Sequence, residues 1–288
     1  MKHFLTILLA VIASVAATYL WAPTSPATTA EESAFERVTR TGVLRCGYGP
    51  WDGGINKNAE GQLVGAWVDI MNELARLSEL KIEWVGEVGW GDVATALKTN
   101  KMDAMCAGMW QSGVKGKHML FSTPLHYQTV EALIQANDTR FEGKPMSSMN
   151  NEMLRIAVVD NDNSYFIATG DFPKAERVSL GQMGTDSDLM LNVATGKADI
   201  TFTLPGLYHV FQKTNPGKLK RAYPNQPLRV FGNTLAVNGT EHELKQLLDT
   251  AAYEALNSGS INKILTKWSA DYPEMFMPAA KVYGEYHQ

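Results

Sequence analysis

The residues able to catalyse or coordinate do not gather into a reactive set. No Gly-x-Ser-x-Gly or other nucleophile motif is present. The six histidines never fall at a ligand spacing such as His-x-x-x-His, so no metal site is expected. Gly47-x-Gly49 begins like a dinucleotide fingerprint, but Asp52 stands where the third glycine belongs and Pro50 interrupts the turn. Met146, Met149 and Met153 share one polar loop, which suits packing better than metal binding. The side chains left for acid–base work are Asp160, Asp162, Glu87 and Lys115. That is too little to imply an enzyme or a cofactor; it suits recognition of a small molecule.

The elements that would carry these residues occur twice. Leu44-Arg45-Cys46-Gly47 and Lys101-Met102-Asp103-Ala104 are answered later by Leu154-Arg155-Ile156-Ala157 and Lys197-Ala198-Asp199-Ile200. In each copy the pattern reads strand, helix, strand, helix, strand. Apolar faces predict a helix over Asp69–Leu77 and strands at Val43–Gly47, Lys81–Val85, Met102–Cys106, Glu131–Gln135, Leu154–Val159 and Ile200–Thr203. Short helices are expected at Asp92–Thr99, from about Asn163, from about Asp186 and at Leu207–Gln212. Leu235–Asn238 reads as a strand returning to the first copy. Thr240-x-x-Glu243 reads as a capping box opening a helix that ends at Asn257-Ser258-Gly259, before another over Ile261–Trp268. Alternation of this kind predicts an α/β protein with largely parallel sheets, and ligands bind beyond the carboxyl ends of such strands. Two similar lobes leave a cleft between them.

A net charge of -4 over 288 residues gives no basic face for nucleic acid. Lys2 and His3 precede an apolar run to about Trp21, and Pro23–Glu32 reads as a linker. The run fits a cleaved signal peptide and is nearly long enough for an uncleaved anchor; either way the folded part is exported. Cys46 and Cys106 fall in core strands and are expected as buried thiols behaving as small hydrophobes. A disulfide would need the two strands adjacent and in register.

Seven segments in order, from Gly42 to Trp268, resemble bacterial extracellular solute-binding protein family 3, the periplasmic receptors of amino-acid ABC importers. They are Gly42-Val43-Leu44-Arg45-x-Gly47; Gly61-x-x-x-Gly65-x-x-Val68-Asp69; Ala96-Leu97-x-x-x-Lys101-x-Asp103-Ala104; Gly108; Phe121-Ser122-x-Pro124; Gly196-Lys197-Ala198-Asp199; and Leu256-x-x-Gly259-Ser260-Ile261 through Lys267-Trp268. The resemblance implies a two-lobed periplasmic-binding-protein-like fold (type 2), its lobes joined by two crossing strands. Residues 1–34 would be signal or anchor plus linker, 35–128 with 232–288 the first lobe, and 129–231 the second. It also implies a monomer that captures a small-molecule ligand in the periplasm and docks on an ABC permease of the inner membrane. A ligand-sensing module for a membrane receptor and a cyclohexadienyl dehydratase-like enzyme are the alternatives.

By that resemblance the pocket takes Trp51 and Trp90 as aromatics, Ala107, Gly108, Trp110 and Ser112 after the Asp103 strand, and Asp162, Asn163 and Ser164 at a helix start. Two departures stand out. Lys115 replaces the arginine that grips a ligand carboxylate, leaving a point charge in place of a planar fork. Leu204 replaces the aspartate that accepts the ligand amino group. What remains is aromatic (Trp51, Trp90, Trp110) and acidic (Asp160, Asp162), which favours an amine-bearing or aromatic ligand over a simple zwitterion. Core packing is the alternative for each tryptophan, and turn or cap duty for each aspartate. Trp67, Trp84 and Trp268 are read as structural.

Overall fold

The computed structural model describes residues 32–160, 162–181 and 184–279. The expected signal segment and nearly all of the linker lie outside them. Among the described residues the elements are, in chain order, α1 (Ala34–Thr41), β1 (Val43–Tyr48), β2 (Asn56–Lys57), β3 (Leu63–Val64), α2 (Ala66–Leu77), β4 (Lys81–Glu87), α3 (Val93–Lys98), β5 (Ala104–Trp110), β6 (Met119–Phe121) and β7 (His126–Gln135). There follow β8 (Arg155–Val159), α4 (Asn163–Asp171), β9 (Glu176–Leu180), α5 (Asp186–Ala194), β10 (Ile200–Thr203), α6 (Pro205–Thr214), β11 (Leu219–Arg221), β12 (Arg229–Asn238), α7 (His242–Asn257), α8 (Ser260–Ser269) and β13 (Met277–Pro278). The main strand order is β4-β1-β5-β12-β7-β10-β8-β9, with β6 beside β12 and with β11 and β13 beside β7. This is the two-lobed α/β arrangement the repeat predicts, with the periplasmic-binding-protein-like topology that the resemblance implies.

Two long antiparallel strands join the halves. β12 pairs over Arg229–Asn233 with the start of β7, then over Asn233–Val237 with β5. β7 continues past β12 and pairs over Glu131–Ile134 with β10. On either side of this crossing the sheets are parallel: β1 lies between β4 and β5, and β8 between β9 and β10.

The repeated motif has one physical purpose in both copies. The Arg45 backbone N–H donates to Asp103 Oδ2 at 2.7 Å while its guanidinium donates to Oδ1 at 2.8 Å. In return, the Asp103 N–H donates to the Arg45 carbonyl at 2.9 Å. Arg155 and Asp199 do the same: Arg155 N–H to Asp199 Oδ2 at 2.9 Å, Nε to Oδ2 at 3.0 Å, and the Asp199 N–H to the Arg155 carbonyl at 2.8 Å. Each carboxylate takes a second arginine, Arg37 on Asp103 and Arg140 on Asp199. The aspartate before each sheet's third strand thus fixes that strand's start against the arginine of the first.

α2 turns Trp67, Ile70, Met71 and Leu74 inward, and α7 turns Leu244, Leu248, Ala251 and Ala255 inward. Each large side chain buried this way stabilises by about 2 kcal/mol. Two sequence expectations are corrected. Cys46 and Cys106 are not thiols but a disulfide, with Cα atoms 5.5 Å apart. Parallel pairing of Cys46 with Ala104 puts Cys106 two residues further along the neighbouring strand, close enough to bridge. The capping box at Thr240 does not form: Glu241 is the N-cap of α7, and Thr240 bonds to Asn238 instead. The Glu241 carboxylate caps α1 from across the chain, accepting from the N–H groups of Ala34 at 2.9 Å and Phe35 at 3.2 Å. A capping box exists at Thr185 and Asp188, opening α5.

Asp103→Ala strands two arginines beside a wholly buried site and should cost about 3–5 kcal/mol. Asp199→Ala should cost less, because its side chain is 15% exposed. Urea denaturation of the two variants gives the comparison, and equal losses would overturn it.

Candidate functional site

The cleft is built from the carboxyl ends of the parallel strands. β1 runs into Gly49-Pro50-Trp51-Asp52, and β5 ends at Trp110. From the other half, β8 runs through Asp160 and Asp162 into α4, while β9 is followed by α5 and β10 leads into α6.

Two tryptophans from the first half lie flat on glycine backbone. A side chain at Gly54 would strike the Trp51 ring at 1.8 Å, and one at Gly49 would strike the Trp90 ring at 2.8 Å. Trp51 is half-buried, and its indole N–H donates to the Ala107 carbonyl at 2.7 Å. Trp90 is 37% exposed, an open aromatic face with no core to fill. Gly108 has φ +80, and a Cβ there would meet Trp67 Nε1 at 2.5 Å and Asn233 Oδ1 at 2.9 Å, so only glycine fits. Trp67 is fully buried and donates to His126 Nε2 at 3.2 Å. Burial lowers the His126 pKa to about 4, keeping that imidazole neutral.

The structure separates the remaining candidates by duty. Trp110 is committed to the crossing strands: its ring stacks on Phe231 at 4.2 Å and its N–H donates to Gln128 at 3.2 Å. Ser112 accepts from the Lys115 N–H at 3.3 Å and so braces the 3-10 turn at Lys115–Lys117. The Ser164 hydroxyl is buried and accepts from the Val159 N–H at 3.0 Å, which closes the turn into α4. Asp160 donates its N–H to Leu180, extending the β8–β9 ladder. Asp162 is the N-cap of α4, and Asn163 is its first residue.

Lys115, after β5, and Asp162, before α4, interact electrostatically. Burial lowers the lysine pKa, and Asp162 partly restores it. Burial raises the Asp162 carboxyl, opposed by the N–H groups of Asn163 and Ser164 and by Lys115. Leu204 is buried at the N-cap of α6. A different acid takes a place in this cleft. Asp186, the first residue of α5, accepts from the Thr203 hydroxyl at 2.9 Å. Asp186 is exposed as a residue, while the protein around its carboxyl desolvates it and raises its pKa to about 6, with Asp162 and Asp52 adding like-charge repulsion. Sequence reasoning missed Asp186 and Asp52. Thr185-Asp186-Ser187-Asp188 reads as an ordinary helix start, and Asp52 as turn chemistry; only the fold brings them toward Asp162. Among the described residues, no three acidic, histidine or cysteine side chains approach closely enough to hold a metal ion.

Charged and aromatic groups at strand ends, between halves joined by crossing strands, define a two-lobed receptor for small solutes. The chain belongs to the bacterial extracellular solute-binding proteins, family 3, whose model matches residues 48–271. Among solved structures, it is similar to an ancestral amino acid-binding protein described as a precursor of cyclohexadienyl dehydratase, at 21% identity and TM-score 0.67, covering 82% of this chain and 99% of that one. A protein of Wolinella succinogenes described as a binding component of an ABC transporter, complexed with lysine, gives 19% identity and TM-score 0.69, covering 79% and 96%. An ancestral arginine-binding protein bound to arginine gives 19% identity and TM-score 0.64, covering 79% and 98%. No curated protein matches the chain.

Asp186 yields a prediction with a definite sign. Its folded pKa of about 6 lies above the ordinary value of 3.8, so its charge opposes folding at neutral pH. Stability is regained as pH falls through 6 and fully restored below 3.8. Asp186→Asn should therefore melt higher than the parent at pH 7.5 and equally at pH 3.5. Equal melting at pH 7.5 would refute this.

Proposed function

We propose that the chain is the periplasmic receptor of an ABC-type importer and that its ligand is a cationic amino acid or a related amine-bearing metabolite. The observation that carries this reading is the charge balance of the cleft. Asp162 and Asp52 both press on Asp186 there, and Lys115 acts on Asp162 from the other side. An ammonium or guanidinium group relieves the repulsion among the carboxylates, and a neutral ligand leaves it in place. Lys115 takes the ligand carboxylate as a point charge. Trp90, which rests on Gly49 of the loop that carries Trp51, offers its face to the cation or to the aliphatic stem. Asp186 thereby replaces the acceptor lost at Leu204. That lysine and arginine occupy two proteins of this fold is consistent with the choice.

In this reading the lobes are residues 35–128 with 232–288, and 129–231. They close by bending at β7 and β12, and the closed form docks on the permease. A lyase reading has one feature in its favour: the Asp186 carboxyl, at about 6, is near the pH where a general acid works best. A lyase would convert the bound compound, whereas a receptor returns it intact, and mass spectrometry of recovered ligand separates the two.

Calorimetry against arginine, lysine, glutamine and glutamate tests the ligand class. Arginine or lysine should bind and glutamate should not; sub-micromolar glutamate binding would overturn the reading. Trp90→Ala should weaken binding by about 1–3 kcal/mol with little change in melting temperature. Lys115→Met should weaken arginine but spare its decarboxylated analogue agmatine. Because the proton competes for Asp186, arginine affinity should be about tenfold weaker at pH 5 than at pH 7.5. A flat pH profile would remove Asp186 from the site.

A further inference from the structure

After α8, which packs on α2 and α7, the chain leaves the first half and crosses to the second. The Tyr272 N–H still bonds to Trp268, and its ring lies on Gly53, where a Cβ would come within 3.0 Å. Glu274 then takes a left-handed turn, φ 59, which a non-glycine residue adopts only when its surroundings require it. Its carboxylate sits between Arg221 of β11, at 2.7 Å, and His209 of α6, at 3.1 Å. Arg221 is itself held by Glu131, with Nε 2.6 Å from Oε2, and lies 5.7 Å from the centre of the Tyr208 ring. Met275 is fully buried against Gly206, where a Cβ would stand 2.7 Å from that of Met275. Phe276 meets the His126 ring edge-on at 5.2 Å and the Trp51 ring at 6.4 Å. Met277 and Pro278 pair as β13 with Tyr127 and His126.

Seven residues therefore touch Gly53 and Trp51 on one side of the cleft, β7 at the crossing, and α6 and β11 on the other side. We propose that Tyr272–Pro278 is a third connection between the lobes, a strap latched by Glu274 onto Arg221 and His209, which favours the closed arrangement and holds Trp51 in place through Phe276. β7 and β12 can bend together, but a third link away from them resists that bending. The charges that interact across the cleft, Lys115 with Asp162 and Asp186 with Asp52, belong to the same arrangement in which the latch is made. Binding strength then depends on residues that never touch ligand, since apparent affinity scales with the closed fraction. The proposal rests on the hinged two-lobe reading and is independent of the ligand class.

The test uses the full chain carrying spin labels at Glu60→Cys and Lys174→Cys, exposed positions on the two lobes, with the separation read by pulsed electron resonance. Adding Glu274→Gln removes the latch charge at a half-exposed position, where the fold tolerates it. The long-distance population should rise about fivefold relative to the short one, the scale of a single exposed ion pair. Arg229→Gln is the control: it breaks the pair with Asp171, which lies within the second lobe's span. Arg229→Gln should leave the distances unchanged. A Glu274→Gln distribution that superimposes on the parent, or that moves to shorter distances, overturns the strap, as does an equal shift in the control. Arginine calorimetry on the same proteins should show Glu274→Gln weaker by the factor by which the closed fraction falls. If the parent binds neither arginine nor lysine, the ligand class fails, and the distance measurement still decides the strap.

Discussion

Each half of this molecule depends on one carboxylate that answers an arginine twice, through its backbone N–H and through its guanidinium. Asp103 and Asp199 do this at the start of the third strand of each parallel sheet. Parallel strands have no tight turn to set their register, so something else must. The aspartate does it by joining the backbone of one strand to the side chain and backbone of another. With register fixed there, Cys46 comes within reach of Cys106, Trp51 within reach of the Ala107 carbonyl, and the strand ends line up along the cleft.

That explains why much of the architecture was legible in the sequence. The Arg and Lys-x-Asp segments repeat because the joint repeats, and the strand Ile200–Thr203 stands where its pattern placed it. Other features were illegible for reasons of distance along the chain. Whether Cys46 and Cys106 meet depends on an offset between strands that neither segment states. Glu241 was assigned no role because its partners, Ala34 and Phe35, lie about two hundred residues away. β12 was foreseen only at its end, Leu235–Asn238, since Arg229–Gly232 has no strong apolar alternation; it forms because β7 offers a partner. Of the candidate site, the aromatics and Lys115 were nameable from motifs. Asp52 and Asp186 were not, because each looks locally like a turn or a cap.

Charge placement at the helix starts has a cost of its own. Leu204 caps the start of α6 without a charge, while Asp186 at the start of α5 presents a carboxylate braced by Thr203. A charge placed at a helix N-terminus is ordinarily eased by the backbone N–H groups there. Crowding and two neighbouring carboxylates outweigh that help, so the site holds electrostatic tension in the absence of a cation. The tension costs some stability at neutral pH.

The disulfide makes stability depend on the redox surroundings. A bridge closing sixty residues is worth about 4 kcal/mol in chain entropy, but only where the surroundings are oxidising. In reducing surroundings both sulfurs would be thiols, and the chain would be less committed to its final shape by that amount. The bond joins strands that Arg45 and Asp103 hold in register. Once made it is hard to reverse, because both cysteines are wholly buried. The same sequence is therefore easier to unfold in reducing surroundings than in oxidising ones.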